Sequence, residues 1–578
     1  MHSGRIRRAL LITALALAIA LSIPATSLKD VPLPVDIPLP GAMPGCLTDP
    51  AGQPPPPPGP DGRPANYLHT CGARLYDQHG REVKISGVNW SGMEGSNYAP
   101  AGLDKRNWQD LLDQVAELGY NTIRVPFSSE MLEPNRHVSG INSALNPGLE
   151  GLSGLEMLDR LIAGARDRGL KVILDRHFPS AWRLTTLWYT PEVPEERWLA
   201  DWRMLAAHYK GNDTVIGVDL HNEPHGEATW GSGNPATDWR LAAERAGNAV
   251  LKANPYLLVF VEGIENYNGS HWWWGGDLQG VRTAPVRLNV PNRLVYSPHD
   301  YGPAIDGQAW FWDPAFPANL PAEWDRRWGY LEREQIAPVV VGEFGGRSVG
   351  DDRDGQWQRT LLGYLRERNI GALIWSLNPN WDTGGILAED WRTVEQAKQG
   401  AYRQLLAAPI DAGALGSFGR APARYTVLFR QGETDGQTDR IAFSLQIVND
   451  SPDAPALSRF EARYWLVAGD PPAQRPQIQL ETVDLPVEHV RVDLVPTARG
   501  GQDHYLRVRF EQAAGTIGRY QGSGKVTVKF QKDARSSLPP SGDYSFAGVA
   551  EPRQRFGEWS RVTLYLDGQL VWGREPAD

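Results

Sequence analysis

Eight short apolar runs, separated by amphipathic stretches, constrain this chain more than any other feature. They fall at Val83–Asn89, Asn121–Val125, Leu170–Asp175, Thr214–Leu220, Leu257–Glu262, Arg293–Ser297, Pro338–Gly342 and Gly371–Leu377. Most are near-continuous in Val, Ile and Leu, as strands buried on both faces of a parallel sheet must be. Helical periodicity fills the intervals at Trp108–Leu118, Gly154–Arg168, Glu195–Tyr209, Asp238–Ala253, Ala322–Gln335, Gly355–Arg368 and Trp391–Leu406. After the fifth run no helix is legible, and a Trp-rich loop stands there instead. Eight strands with helices between them predict an α/β fold, a (β/α)8 TIM barrel over residues 66–408.

The pattern changes beyond Ala408. Residues 409–423 are rich in Gly and Ala and read as a linker. From 424 to 578 short alternating runs follow one another, at Tyr425–Phe429, Ile441–Val448, Phe460–Val467, Val490–Val495, Tyr505–Phe510, Lys525–Phe530 and Arg561–Tyr565. Turn residues separate them, which predicts an all-β sandwich domain. At the other end Arg5, Arg7 and Arg8 precede the apolar run Ala9–Ile23 and the small residues Ala25-Thr-Ser27. That layout predicts a signal peptide over 1–27 and a secreted protein, extracellular or periplasmic. An uncleaved anchor is the alternative. Residues 28–65, with Pro54–Pro58, read as an extended Pro-rich linker. The two cysteines, Cys46 and Cys71, are too few for a disulfide scaffold, and export would let them pair.

The net charge of −10 is spread along the chain and argues against a nucleic-acid partner. No other stretch is apolar enough to span a bilayer, so no membrane partner is expected once the signal is removed; a monomer is expected.

In a TIM barrel the chemistry gathers at the C-terminal ends of the strands. Strand one offers Asn89 and Trp90 there, strand two ends with Arg124 and strand three with His177. Strand four delivers Asn222 and Glu223 from the stretch Asp219-Leu-His-Asn-Glu-Pro224. Strand six delivers His299 and Tyr301, strand seven Glu343, and strand eight Trp375. A glutamate at one strand end is more often a structural ion pair. Two of them, with Arg, Asn, two His and Tyr, suit glycoside cleavage, which needs one protonated and one ionised carboxyl. Arg124 would keep Glu343 ionised, and Glu223, expected to be the more shielded, would keep its proton longer. Trp375 would floor the sugar site. The set calls for no cofactor. His177, His299 and Asp175 could suggest a metal, but the His-x-His pair such a site wants after strand one is replaced by Asn89-Trp90, so no metal is expected.

These residues carry a resemblance. Gly87-Val-Asn-Trp90, Gly119-Tyr-Asn-Thr-Ile-Arg124, Ile173-Leu-Asp-Arg-His177, Asp219–Pro224, Ser297-Pro-His-Asp-Tyr301, Gly342-Glu-Phe-Gly345 and Asp382-Thr-Gly-Gly-Ile386 resemble glycoside hydrolase family 5 endo-β-1,4-glucanases over roughly 67–406. The resemblance implies a retaining enzyme acting on β-glucan polysaccharide, with Glu223 as acid/base and Glu343 as nucleophile. It implies a sugar site of Arg124, His177, Asn222, His299, Tyr301 and Trp375. Trp90, Trp188, Trp274 and Trp310 look like cleft-lining aromatics, with a plain core role equally open for each. Asp104 and Asp306 stand where relatives carry aromatics, and Ser96 and Ser232 where they carry cysteines. Other family 5 activities, mannanase or xyloglucanase, share the catalytic set, and a non-catalytic glucan binder is a further alternative.

The C-terminal part resembles a family 3 carbohydrate-binding module through Leu457–Leu466, Gly542–Phe546 and Val562–Gly573. Cellulose-binding members present a flat aromatic row. Lys532–Gly542 lacks the expected Trp, Ile478–Leu485 lacks the expected aromatic and His, and Trp465 and Trp572 read as core.

Overall fold

The computed structural model describes residues 55–60, 62–380, 382–410, 425–432, 440–469, 477–532, 540–546 and 555–577. The expected signal peptide, most of both linkers and Cys46 lie outside them; Cys71 is disulfide-bonded.

The barrel strands are β1 (Ser86–Asn89), β2 (Thr122–Ser128), β3 (Lys171–Phe178), β4 (Val215–Asp219), β5 (Leu258–Val261), β6 in two segments (Leu294–Tyr296 and His299–Tyr301), β7 (Val340–Gly345) and β8 (Gly371–Ile374). Neighbours pair in parallel all the way round, in the order β6-β5-β4-β3-β2-β1-β8-β7-β6. The seam lies within β6. Its first segment pairs with β5 and its second with β7, and Pro298, which has no N–H to give a ladder, stands at the switch. A bridge between Tyr296 and Val339 closes the ring.

Helices α1 (Trp108–Glu117), α2 (Gly154–Arg166), α3 (Glu195–His208), α4 (Trp239–Ala253), α5 (Leu320–Trp324), α6 (Tyr330–Arg333), α7 (Arg353–Glu367) and α8 (Gln396–Tyr402) lie between the strands. One π-helical turn, Asp325–Gly329, joins α5 to α6. Local chemistry fixes their starts. Asn107 caps α1, Ser153 and Glu156 form a capping box on α2, and Asp352 caps α7. The last helix starts later than the periodicity predicts. Asp390 accepts the backbone N–H groups of Arg392 and Thr393 in a turn, and Trp391 takes a left-handed φ of 56°, so helix begins only at Gln396. Between β5 and the first segment of β6 the described chain has no α-helix; a hairpin pairing Asn266–Tyr267 with Ser270–His271 precedes one 3₁₀ turn.

Two five-stranded antiparallel sheets make the C-terminal sandwich. With β9 (Tyr425–Gln431), β10 (Arg440–Asn449), β11 (Phe460–Leu466), β12 (Gln477–Val483), β13 (Val490–Arg499), β14 (Gln502–Phe510), β15 (Lys525–Gln531), β16 (Gly557–Glu558), β17 (Val562–Leu566) and β18 (Gln569–Trp572), the orders are β12-β15-β10-β9-β16 and β13-β14-β11-β17-β18. Inward-facing Val427, Phe429, Phe443, Leu445, Leu506 and Val528 form its core. The edge strands β12 and β18 escape a reading by periodicity because neither has a fully buried face. The sandwich touches the barrel through a backbone bond from Gly522 N to Ala144 O, 2.7 Å, and through Asn107 Nδ2 donating to Tyr520 O, 2.9 Å. Among the described residues no helix is long and apolar enough to cross a membrane.

Candidate active site

Arg124 is the hub of the barrel's C-terminal end. It lies within β2 rather than at its end as the sequence suggests, because β2 runs on to Ser128. Its side chain has no exposed surface and is enclosed by the polar groups of the site. Its Nε donates to Asp219 Oδ2 at 3.0 Å, and Nη1 donates to Glu343 Oε1 at 2.7 Å and to Asn89 Oδ1 at 3.0 Å. Nη1 is also 3.1 Å from Asp175 Oδ2, and Nη2 donates to Asn222 Oδ1 and Glu262 Oε1, both at 3.2 Å. Burial works against the guanidinium's charge, but Asp175, Asp219, Glu343 and Glu262 outweigh it and hold the group firmly protonated.

Glu343, on β7, receives Arg124 on Oε1 and the Tyr301 hydroxyl on Oε2 at 2.6 Å. Burial alone would raise its pKa. The charges of His299, Arg124 and His177, with the bond from Tyr301, pull it below the usual glutamate value. Glu223 follows β4 and takes a left-handed φ of 55°. Its Oε1 is 3.0 Å from His299 Nδ1, and the same nitrogen is 3.6 Å from Glu343 Oε2. The donor atoms of Glu223, His299 and Glu343 all lie within 4.8 Å of one another. The expected order of shielding is reversed: the Glu223 side chain is 16 % exposed and that of Glu343 only 4 %. Glu343 sits within a strand on the barrel wall, whereas Glu223 sits on the loop beyond β4.

His177 Nδ1 meets Asp175 Oδ2 at 2.6 Å, and the imidazole stacks on the Trp375 ring at 5.4 Å and 7°. Burial opposes its charge, yet Asp175 carries its pKa up to about 9. Trp375 follows β8 and is half-buried. Trp274 is 38 % exposed and stacks on His225 at 4.0 Å, and the half-buried Trp310 stacks on Trp272 at 4.2 Å. Trp90 and Trp188 are corrected to core residues. Trp90 is covered by the loop after β1, where its Nε1 donates to Ala101 O. Trp188 turns inward onto Trp198 of α3 and Trp239 of α4 and donates to Glu195.

Glu262 is the residue the sequence reading passed over. It stands directly after β5, wholly buried, and touches Arg124, His299 and the backbone N–H of Glu223. Burial raises its pKa to about 7, against the pull of His299 and Arg124. A carboxylate closing a buried apolar run was the available signal, the same one that marks Glu343. Trp182 and Trp312, each 62 % exposed, were also not singled out.

Three groups of buried acids and histidines could in principle hold a cation: Asp175/His177/Glu343, Asp219/Glu262/His299 and Glu223/His299/Glu343. Arg124 contacts a carboxylate of each group except Glu223, so the chain itself supplies positive charge among them.

The chain matches the family described as Cellulase (glycosyl hydrolase family 5) over residues 76–381, and the Cellulose binding domain family over 426–573. It is 52 % identical over 338 residues to an endoglucanase of Paenibacillus polymyxa, covering 58 % of this chain and 85 % of the relative. It is 44 % identical over 349 residues to the major extracellular endoglucanase of Xanthomonas campestris, covering 59 % and 71 %. A solved endocellulase of Pyrococcus horikoshii superposes with a TM-score of 0.57 at 41 % identity, covering 59 % of this chain and 99 % of that one. The chain is a glycoside hydrolase belonging to glycosyl hydrolase family 5, with a cellulose-binding-domain sandwich at its C-terminus.

Proposed function

We propose that the protein is a secreted, retaining endo-β-1,4-glucanase that cuts internal β-1,4 bonds of cellulose and related β-glucans by double displacement. The observation that carries this is the close approach of Glu223 and Glu343, whose nearest carboxylate oxygens lie within 4.8 Å. Carboxyls about 5–5.5 Å apart suit attack on the anomeric carbon, whereas inversion needs roughly 6.5–9.5 Å to admit a water. The endoglucanase names of the relatives support the substrate class.

Glu343, held ionised, attacks the anomeric carbon while Glu223 protonates the departing glycosidic oxygen. The C–O bond breaks, a glycosyl ester forms on Glu343, and the glucan leaving group departs as an alcohol. Glu223, now ionised, takes a proton from water, whose oxygen displaces Glu343 and restores both groups. Arg124 and Tyr301 orient the two oxygens of Glu343. Arg124 also fixes Asn222 through its Oδ1, leaving the Asn222 amide N–H groups to face a sugar hydroxyl. Trp375 and Trp274 offer ring faces to the glucan.

Secretion rests on the basic N-terminus followed by the apolar run Ala9–Ile23, and on the extracellular relative. The domain plan is a signal peptide at 1–27, a Pro-rich linker at 28–65, the catalytic barrel at 66–408, a second linker at 409–423 and the sandwich at 424–578. A reducing-sugar assay on soluble β-glucan, mannan and xyloglucan, with and without chelator, tests the reading. Chelator-insensitive release of reducing ends from the β-glucan is the expected result; activity confined to mannan or xyloglucan, or none, would overturn it.

A further inference from the structure

Glu223 needs help to stay where it is. A left-handed φ is uncommon for a residue with a side chain, and such conformations persist only where the surroundings enforce them. The enforcing contact is Glu262. Its Oε2 accepts the Glu223 backbone N–H at 2.7 Å. Its Oε1 lies 3.3 Å from His299 Nε2, and His299 Nδ1 in turn lies 3.0 Å from Glu223 Oε1. One carboxylate therefore holds the Glu223 backbone directly and faces, as an ion pair, the imidazole that meets the Glu223 carboxyl. Arg124 Nη2, 3.2 Å from Oε1, anchors the grip to the hub.

The loop after β5 closes over this arrangement. A Cβ at Gly275 would stand 2.2 Å from Glu262 Oε2 and 3.2 Å from Glu223 Cα, so the loop backbone approaches as closely as glycine allows. Gly275 N also reaches Pro224 O at 3.4 Å, and Trp274 beside it stacks on His225. We infer that Glu262 is a positioning residue for the acid/base step: with Gly275 it holds Glu223 at the leaving-group oxygen without touching substrate. The inference rests on the role of Glu223 proposed above.

The test uses the full-length chain. Glu262→Gln keeps the shape but cannot present an acceptor to Glu223 N–H while offering charge to His299 and Arg124. Gly275→Ala pushes Glu262 aside, and strains the loop at its own φ of 66°, without changing any charge. For each, kcat/KM is measured on soluble β-glucan, whose leaving group needs a proton, and on an aryl cellobioside with a low-pKa phenol, whose leaving group does not. General acid–base help is worth about 10²–10⁴-fold, so a loss of about 10² or more is expected on glucan and within about 10-fold on the aryl substrate. Added azide should raise aryl cellobioside turnover and give the β-glycosyl azide. Equal losses on both substrates without an azide effect, as from a merely loosened fold, would overturn the inference, as would undiminished activity on glucan. If Glu262→Gln does not fold, Gly275→Ala decides on the same readouts. Glu223→Gln is run alongside. If it lacks the split, the assignment of Glu223 fails and this inference with it; if it has the split and the other two variants lack it, only the inference fails.

Discussion

At the barrel rim one guanidinium, Arg124, meets Asp175, Asp219, Glu262 and Glu343. In the sandwich Lys532 Nζ meets Asp543 Oδ1 at 2.7 Å, with both side chains fully buried. The second arrangement is matched one to one, and Asp543 also accepts Val467 N, so it ties β11 to the segment after β15. The first is oversubscribed. Negative charge left over at the rim keeps His177 and His299 protonated against burial, and those cations in turn keep Glu343 ionised. A balanced buried pair is a structural tie, whereas an unbalanced cluster with one carboxylate facing the cleft is poised for chemistry.

The largest expected effect separates Glu343, a member of the unbalanced cluster, from Glu223, which meets that cluster only through His299 and Glu262. Glu343→Gln should reduce turnover on every substrate to background, because no glycosyl ester can form. Glu223→Gln should lose about 10²–10⁴-fold on β-glucan and much less on an activated aryl cellobioside, where azide should rescue it. Steady-state kinetics on both substrates checks this, and the reverse pattern would exchange the roles.

The matched pair should respond differently. Lys532→Met leaves Asp543 buried without its partner and should cost about 3–5 kcal/mol of sandwich stability. Activity on soluble glucan should stay at the wild-type level. Denaturant unfolding beside a soluble-substrate assay reads both, and a large loss of soluble activity would contradict a purely structural role for the Lys532–Asp543 pair.

A smaller effect concerns pH. Glu343 must be ionised to attack, so activity is present above its lowered pKa and falls as pH drops through it. Tyr301→Phe removes one bond to the ionised form. The acid limb of kcat/KM should therefore move up by about one pH unit, toward the ordinary glutamate value. An unmoved acid limb would take Tyr301 out of the account.

The smallest expected signal is adsorption. Among the described residues every aromatic side chain of the sandwich is buried or half-buried. On the sheet that carries β11, Arg463 lies 3.8 Å over the Tyr565 ring and 4.7 Å from the Tyr505 centroid, covering two rings of that face. A 424–578 fragment should adsorb weakly or not at all to microcrystalline cellulose, and tight saturable binding in a pull-down would refute this.

The strand–helix alternation was legible because buried parallel strands must be continuously apolar, and the site followed from the residues at the strand ends. What periodicity could not convey was orientation. Trp90 and Trp188 stand in loop segments, but their rings turn inward: Trp188 onto Trp198 and Trp239, 10 and 51 residues further along the chain, and Trp90 under the loop whose Ala101 O accepts its Nε1–H. Shielding was misjudged because neighbours in sequence say little about cover: Glu223 stands on a loop, Glu343 on the barrel wall. Glu262 lay in plain view at the end of β5. It was passed over because its role depends on a backbone N–H, and the left-handed turn at Glu223 leaves no mark in residue type.

The measurement closest to the central claim is the configuration of the first-formed product on a soluble cello-oligosaccharide, followed by NMR before mutarotation. Glu223 and Glu343, with nearest oxygens within 4.8 Å, predict that the β-anomer appears first. An α-anomer appearing first would mean direct attack by water, and would contradict the assignment of Glu343 as nucleophile.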